Sequence, residues 1–455
     1  MANSRVNVFA ILHFLFSILP LSPLRAIPGF TSFPSAVFPY PFGMERLPGF
    51  RDFYPEPLPH TDVWSADARQ FIFKKWRAVA RRYGFREYDG PPLEPLELFT
   101  TKSGAEIVGQ LYNFVDKGDR AISLRPEMTP TLARMVAAHE RNYKKPIKWF
   151  AIPQLFRYER QQKGRLREHF QFNADLIGEM DPAADAELIA LLIDTLRAFG
   201  LAADDFVIRL SSRNAWHEFF KQGGGDTAHE YEFFQAIDKL ERNSPEESEK
   251  KLSALGFSVA QVHDFIKSGP PTAELQAILD NLQARGLRDF VKVDYQVIRG
   301  LAYYTGVVFE AFDRKGEFRA IAGGGRYNNL VKLISGGRVD LPALGFGMGD
   351  VVLLELLKER GLLPTFDSPM DVFVLIEDES LRPHSLKLIH DLRAAGYAVE
   401  YPLTPTKPDK QFKRAQDLKV AHTARLENDA YVRVRNLKTR EEIVTGIEGA
   451  ANHLD

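Results

Sequence analysis

Two arms that read as strands, 145-KPIKWFAIPQLFRYER-160 and 166-LREHFQFNADLIGE-179, flank the five-residue polar tip QQKGR. Aromatic and aliphatic residues alternate with polar ones along both, and the tip has turn composition. The pair predicts a long antiparallel hairpin, the first arm carrying charge at its end. An isolated hairpin is at best marginal in water, so further strands must complete a sheet around it. In the second arm Gln171, Asn173 and Asp175 share one face. A polar face on a sheet is ordinarily solvated; turned into a cleft it becomes a site. Arg157, Glu159, Arg160, Lys163, Arg165 and Arg167 crowd the tip. Arg157 follows Phe156 within the strand pattern, where a charge that is not exposed needs a partner. Guanidinium forks grip phosphate bidentately, and the chain has no Walker A sequence to cradle phosphates by backbone. Strand-borne arginines would have to do it.

The rest of the chain divides by pattern. Residues 62–83 repeat apolar positions at helical spacing and stop at Gly84, and 85–99 reads as extended and proline-punctuated. The turn 124-LRPEMTP-130 places Glu127 and Thr129 beside the start of a helix, where Glu127 would serve as a cap or as a receptor for an ammonium group. Asp181 to Phe199 is an amphipathic helix. Residues 215–289 become polar and helical, an insertion that rejoins the main sheet near Val291. Then come 297-VIRGLAYYTGVVFE-310, the run 323-GGGRYNNL-330, and 344-LGFGMGDVVLLELLKERG-361, a strand or turn feeding a helix. After a break at 362–371, strand and helix alternate as in a small α/β domain.

The totals set the limits. With 455 residues, 45% hydrophobic and 26% charged, the chain has the composition of a soluble globular protein of two or three domains. Lys plus Arg number 59 against 60 Asp plus Glu, so any contact with nucleic acid must use a local surplus. Between Lys407 and Arg440 there are ten Lys/Arg against four Asp/Glu. The absence of cysteine excludes disulfides, thiolate metal sites and cysteine nucleophiles. Residues 1–43 contain no acid and include the apolar run 8-VFAILHFLFSILPL-21. They read as a signal-like or transit-like extension or a mis-assigned start, with Met44 opening the first domain as the favoured reading.

Taken in order, FRYERQQKGRLREHFQ, LRPEMT, RGLAYYTGVVFE and GGGRYNNL resemble the signatures of the histidyl-tRNA synthetase family of class II aminoacyl-tRNA synthetases, the first of them resembling motif 2. The likeness runs from about Met44 to the C-terminus, and several motifs at compatible spacing are far more specific than one. It implies an α/β fold whose α+β catalytic core is an antiparallel sheet flanked by helices, with a small C-terminal α/β anticodon-binding domain. The expected divisions are an N-terminal extension (1–43), catalytic core (44–214), helical insertion (215–289), second core part (290–362) and anticodon-binding domain (370–455). Pro91 resembles the motif 1 proline, which implies a homodimer.

What the resemblance implies for the site is specific. Glu127 and Thr129 would hold the histidine α-amino group, Gln171 and Asp175 would complete the amino-acid site, and Tyr303 and Tyr304 would line the imidazole pocket. Arg157 and Arg299 would flank the α-phosphate as the catalytic pair, with Glu159, Arg165 and His169 on ATP. The substrates would be L-histidine, ATP with Mg2+, and tRNA(His), and the expected location is cytoplasmic, or an organelle if residues 1–43 are a transit segment. No protein-bound metal is expected. Three positions depart from the family: Ala302 and Asn328 stand where Asp is usual, and Val352, which reads as helix core, stands where motif 3 carries the arginine for the γ-phosphate. The form GFGMGD resembles that of plastid and cyanobacterial-type members, and Arg165 or Arg326 would then take the distal phosphate. Two other readings compete: the non-catalytic regulatory subunit of ATP phosphoribosyltransferase, a paralogue on the same core, and an RNA-binding accessory protein.

Overall fold

A computed structural model describes residues 45–55, 65–103, 105–158, 166–238, 240, 243–297, 304–366 and 370–454. Ser65 starts the first helix, α1 (Ala66–Arg82), its hydroxyl accepting from the Ala68 amide. Gly84, at φ +77°, follows it and takes the left-handed conformation that other residues resist. One stripe of α1, including Ile72, Trp76 and Val79, is buried. Trp76 stacks on Phe172 at 5.7 Å between ring centroids, which fixes the helix against the sheet.

Next in chain order come β1 (Arg86–Glu87), β2 (Leu93–Pro95), α2 (Leu96–Ser103), β3 (Asn113–Val115), β4 (Ala121–Leu124), α3 (Thr129–His139), β5 (Ile147–Ala151), β6 (Gln154–Phe156), β7 (Glu168–Ile177), α4 (Pro182–Arg197) and β8 (Phe206–Ser212). The extended reading of 85–99 thus holds only to Pro95, and Leu96 already opens a helix. The first hairpin arm is two strands rather than one. Pro153 has no N–H for the ladder, and its carbonyl instead accepts from the Gln171 amide at 3.1 Å; proline interrupts a strand for that reason. Both β5 and β6 still pair antiparallel with β7.

Helices α5 (Arg213–Gln222), α6 (Glu230–Asp238), α7 (Pro245–Ser253), α8 (Val259–Ser268) and α9 (Ala273–Ala284) fill most of the stretch between β8 and β9 (Val291–Val293). Beyond lie β10 (Val307–Asp313), β11 (Ala322–Arg326), α10 (Leu330–Ile334), β12 (Ala343–Gly349) and α11 (Asp350–Glu359). Among the described residues the main sheet runs β1-β5-β7-β12-β11-β10-β8-β9, with β6 also on β7. Its pairs are antiparallel except β1–β5 and β8–β9. Trp216, Phe220, Leu275 and Ile278 of the helical stretch belong to the same packed cluster as Leu188 and Leu192 of α4.

The C-terminal elements are β13 (Val372–Leu375), α12 (Arg382–Ala394), β14 (Val399–Glu400), α13 (Pro408–Asp417), β15 (His422–Leu426), β16 (Tyr431–Asn436) and β17 (Glu442–Gly446). They form a sheet ordered β14-β13-β15-β16-β17 around its own cluster of Val374, Leu388, Leu392 and Val434. Strand β15 begins only at His422, because Lys419, at φ +52°, is still turning out of α13. Strands β8 and β17 carried no clear alternation and were not anticipated.

Arg326 ends β11 inside the protein. Its Nε donates to Asp185 at 2.9 Å, and its Nη1 and Nη2 donate to the carbonyls of Glu179 and Asp181. The two side chains are 3% and 0% exposed. Truncating one member of such a pair leaves a buried charge uncompensated. Asp185→Ala is therefore expected to lower unfolding stability by about 3–5 kcal/mol, read as a fall in the urea midpoint at unchanged m-value.

Candidate active site

The register between β7 and β12 positions the site. Asp175 pairs with Gly345, Asn173 with Gly347 and Gln171 with Gly349. Polar side chains from one strand lie over glycines of the next. A Cβ at Gly345 would collide with the Asp175 carboxylate, and one at Gly347 would stand 2.6 Å from the Gln171 amide carbon. The glycines serve here by lacking a side chain.

Above them lies a cavity of about 190 Å³ walled by Glu127, Thr129, Gln171, Asp175 and Tyr304. The resemblance groups these five in the amino-acid site, and in the structure they line one cavity. The face bearing Gln171, Asn173 and Asp175 points into this cavity and is not solvated in the ordinary way. Glu127 is no helix cap: α3 begins after Met128 without a side-chain cap, and Glu127 is ion-paired with Lys102. Tyr327 donates its hydroxyl to Asp175. Burial pushes the Asp175 carboxyl up to about 7, with the Tyr327 hydrogen bond pulling the other way. Burial, reinforced by Glu127, Glu310 and Asp175, raises the Tyr304 phenol far above its ordinary value. It therefore stays neutral.

Arg157 marks the junction with a larger cleft of about 330 Å³, and Gln171, Gly323 and Gly347 line both spaces as well. Its Nε donates to the Pro126 carbonyl at 3.0 Å, and its amide donates to the Arg167 carbonyl at 2.8 Å. The LRPEMT turn and motif 2 are thereby held together. Arg125 braces them from below, donating to the carbonyls of Gln154 and Gly90 at 3.1 and 2.7 Å. The far walls of the cleft are His169, Arg319 and the start of α11, Val351 and Val352. Val352 is not pure core: one side packs on the hydrophobic cluster and the other borders the cleft.

Four predicted site residues, Glu159, Arg165, Arg299 and Tyr303, lie outside the described residues, as does Ala302. Arg326, proposed from sequence as a distal-phosphate ligand, is ruled out of that role because its guanidinium is buried on Asp185. Sequence reasoning missed Lys102, Arg319 and Tyr327. Only Tyr327 carried a signal, being the tyrosine of GGGRY.

A second buried network supports the cleft from outside. Arg51 Nε meets Glu168 at 2.7 Å and its Nη1 meets Asp350 at 2.9 Å, with all three side chains at most 4% exposed. Asp350 also accepts from the Phe170 amide at 3.0 Å. Burial raises the Asp350 carboxyl to about 6, with Arg51 opposing.

A mainly antiparallel sheet flanked by helices, with the β6–β7 pair of the motif 2 segment within it and a small C-terminal sheet, is the class II synthetase fold. A family model described as histidyl-tRNA synthetase matches residues 60–350. A histidine–tRNA ligase of Opitutus terrae is 47% identical over 395 residues, covering 82% of this chain and 88% of that protein. The chloroplastic/mitochondrial histidine–tRNA ligase of Arabidopsis thaliana is 38% identical over 384 residues, covering 81% and 77%. The crystal structure of histidyl-tRNA synthetase from Nostoc sp. PCC 7120 superposes with a TM-score of 0.72 at 22% identity, covering 91% of this chain and 99% of that one. The chain belongs to the histidyl-tRNA synthetase family.

The glycine floor makes a direct prediction. Gly345→Ala is expected to cost about 1–3 kcal/mol by overpacking, and much less in an Asp175→Ala background. A double-mutant cycle measured by denaturant unfolding should give a coupling of at least ~1 kcal/mol.

Proposed function

We infer that the chain is a histidine–tRNA ligase that joins L-histidine to ATP as histidyl-adenylate and passes the histidyl group to the 3′ end of tRNA(His). The observation that carries this reading is the pair of cavities meeting at Arg157: one with carboxylates and a buried tyrosine, sized for a small amino acid, the other with arginine, imidazole and a glycine floor.

In the smaller cavity Glu127 and Thr129 take the α-ammonium group, with Lys102 holding Glu127 in place. Gln171 and Asp175 complete the pocket, and Tyr304 shapes the imidazole side with Tyr303. The histidine carboxylate then faces Arg157 at the junction. One carboxylate oxygen attacks the α-phosphorus, the bond to the bridging oxygen breaks, and pyrophosphate leaves. Two anions must approach and charge spreads over phosphoryl oxygens, so positioning and fixed positive charge carry the rate. Arg157 supplies that charge from one side and Arg299 from the other. His169 stacks on adenine, with Glu159 and Arg165 on the nucleotide. In the second step the terminal ribose hydroxyl of the tRNA attacks the adenylate carbonyl and AMP departs.

Among the described residues no group of three or more His, Cys, Asp or Glu side chains is arranged to hold a metal ion. Magnesium would enter with the triphosphate, as part of the substrate. The C-terminal sheet would contact tRNA phosphates through its basic surplus, and the segment around Pro91 would form the interface of a homodimer, measurable by sedimentation. No described helix is long and apolar enough to cross a membrane. The cytoplasm, or an organelle if residues 1–43 act in import, is the proposed location.

The test is histidine-dependent exchange of pyrophosphate into ATP by the full chain. Exchange specific for histidine and reduced at least ~100-fold in Arg157→Ala supports the reading. Folded protein without exchange would instead favour the regulatory-subunit alternative.

Asp175 adds a pH signature. Its raised pKa leaves it mostly protonated below pH 7, where a cationic ligand meets no charge; it ionises as pH rises through about 7. Histidine affinity is expected to rise from pH 6 to 8, by up to ~10-fold per unit on the acid side, and binding near pH 7 should release protons. Calorimetry in buffers of different ionisation enthalpy measures both. Asp175→Asn should remove this part of the dependence and leave the ligand's own imidazole titration.

A further inference from the structure

The ATP reading leaves one position unfilled. Where motif 3 would present an arginine to the distal phosphate, α11 presents Val352, and Arg326 is committed to Asp185. Yet the cleft is built for an anion: among the described residues lining it none is acidic, and its arginines are Arg157 and Arg319. These two occupy different places. Arg157 lines both spaces, at the junction where the α-phosphorus must sit, whereas Arg319 lines only the larger cleft, with Val351 and Val352.

The course of the chain explains why. Ala322 of β11 pairs with Met348 of β12. Arg319 and Val351 each lie three residues beyond this last pair, outside the ladder, on the β10–β11 connection and at the first turn of α11, and both line the larger cleft. The chain is still held to the sheet just before β11, where the Ile321 amide donates to the Ala311 carbonyl at 2.8 Å. Arg319 lies two residues earlier, on the exposed β10–β11 connection. A guanidinium from this connection enters the space that a side chain from position 352 would enter, from the neighbouring wall.

We propose that Arg319 grips the β,γ-phosphates of ATP, doing from the β10–β11 connection what the missing motif 3 arginine would do from α11. The proposal rests on the ATP-dependent activation inferred above. As the histidine carboxylate bonds to the α-phosphorus and the bridging P–O bond breaks, negative charge grows on the departing pyrophosphate. A fixed bidentate cation there stabilises the leaving group and orients it in line.

The experiment compares full-length wild type, Arg319→Ala and Arg319→Lys. In pyrophosphate exchange, Arg319→Ala is expected to raise KM for ATP and for pyrophosphate by roughly 10- to 100-fold, with Arg319→Lys intermediate because it keeps the charge and loses the fork. Affinity for histidine, and for a histidyl-sulfamoyl-adenosine analogue that has no β- or γ-phosphate, should be unchanged. So should tRNA charging from preformed histidyl-adenylate. Wild-type exchange constants in Arg319→Ala would overturn the assignment, as would an equal loss of analogue affinity, which would make Arg319 a support of the cleft and not a phosphate ligand. If wild type binds histidine but shows no exchange, the activation reading itself falls, and this proposal with it. Wild type active and Arg319→Ala unaffected removes the arginine assignment alone.

Discussion

Asp175 lies across the neighbouring strand at Gly345, and a hydrogen is the only substituent that position accommodates. The rest of the site follows from this contact. Because β12 offers glycine at 345 and 347, side chains from β7 can occupy the sheet surface and a cavity opens above them. Because that cavity is closed from below, Asp175 is desolvated, its carboxyl rises to about 7 and it recruits Tyr327. The glycine at 323 continues the floor under Arg157 into the larger cleft. Position, protonation and access thus share one steric origin.

Much of this could be read before any coordinates. The alternation in 166–179 and the polar face of Gln171, Asn173 and Asp175 marked the site strand, whereas the pairing that sets the glycines of GFGMGD beside it is seen only in the sheet order. The hairpin, α1, α4 and most C-terminal elements were legible from periodicity. What escaped depended on contacts between distant segments. Glu127 looked like a helix cap because local sequence cannot show Lys102 arriving from α2. Arg326 looked available because its partner, Asp185, lies 141 residues away. Arg319 sits among FRAI with no motif to mark it, and only the folded chain brings the β10–β11 connection to the cleft beside the start of α11. Lone prolines misled in the opposite sense, Pro153 dividing one expected strand into two.

The charges fall into two kinds. Arg51, Glu168 and Asp350 form a dry network that ties the segment before α1, the motif 2 strand and the first residue of α11 into one support. Such networks are high-stakes, rigid when complete and costly when broken. The basic surplus of the C-terminal sheet is different. Arg425, Arg433 and Arg435 each meet a carboxylate, Glu377, Glu427 or Glu442, at 2.6–3.4 Å. Their guanidinium planes are therefore pre-ordered at a partly exposed surface. Any polyanion docking there would exchange one set of carboxylate partners for phosphates, which confers selectivity for geometry over bulk charge.

The helices between β8 and β9 look, in sequence, like a separable insert. Their packing says otherwise. Trp216 and Phe220 of α5 and Leu275 and Ile278 of α9 share a continuous apolar cluster with α4 and the sheet. For protein engineering this segment is not a cassette: replacing it with a short linker would strip the outer wall from α4 and leave aliphatic surface facing water. Chimaeras that exchange this region between relatives would need to carry the matching surface of α4 with it.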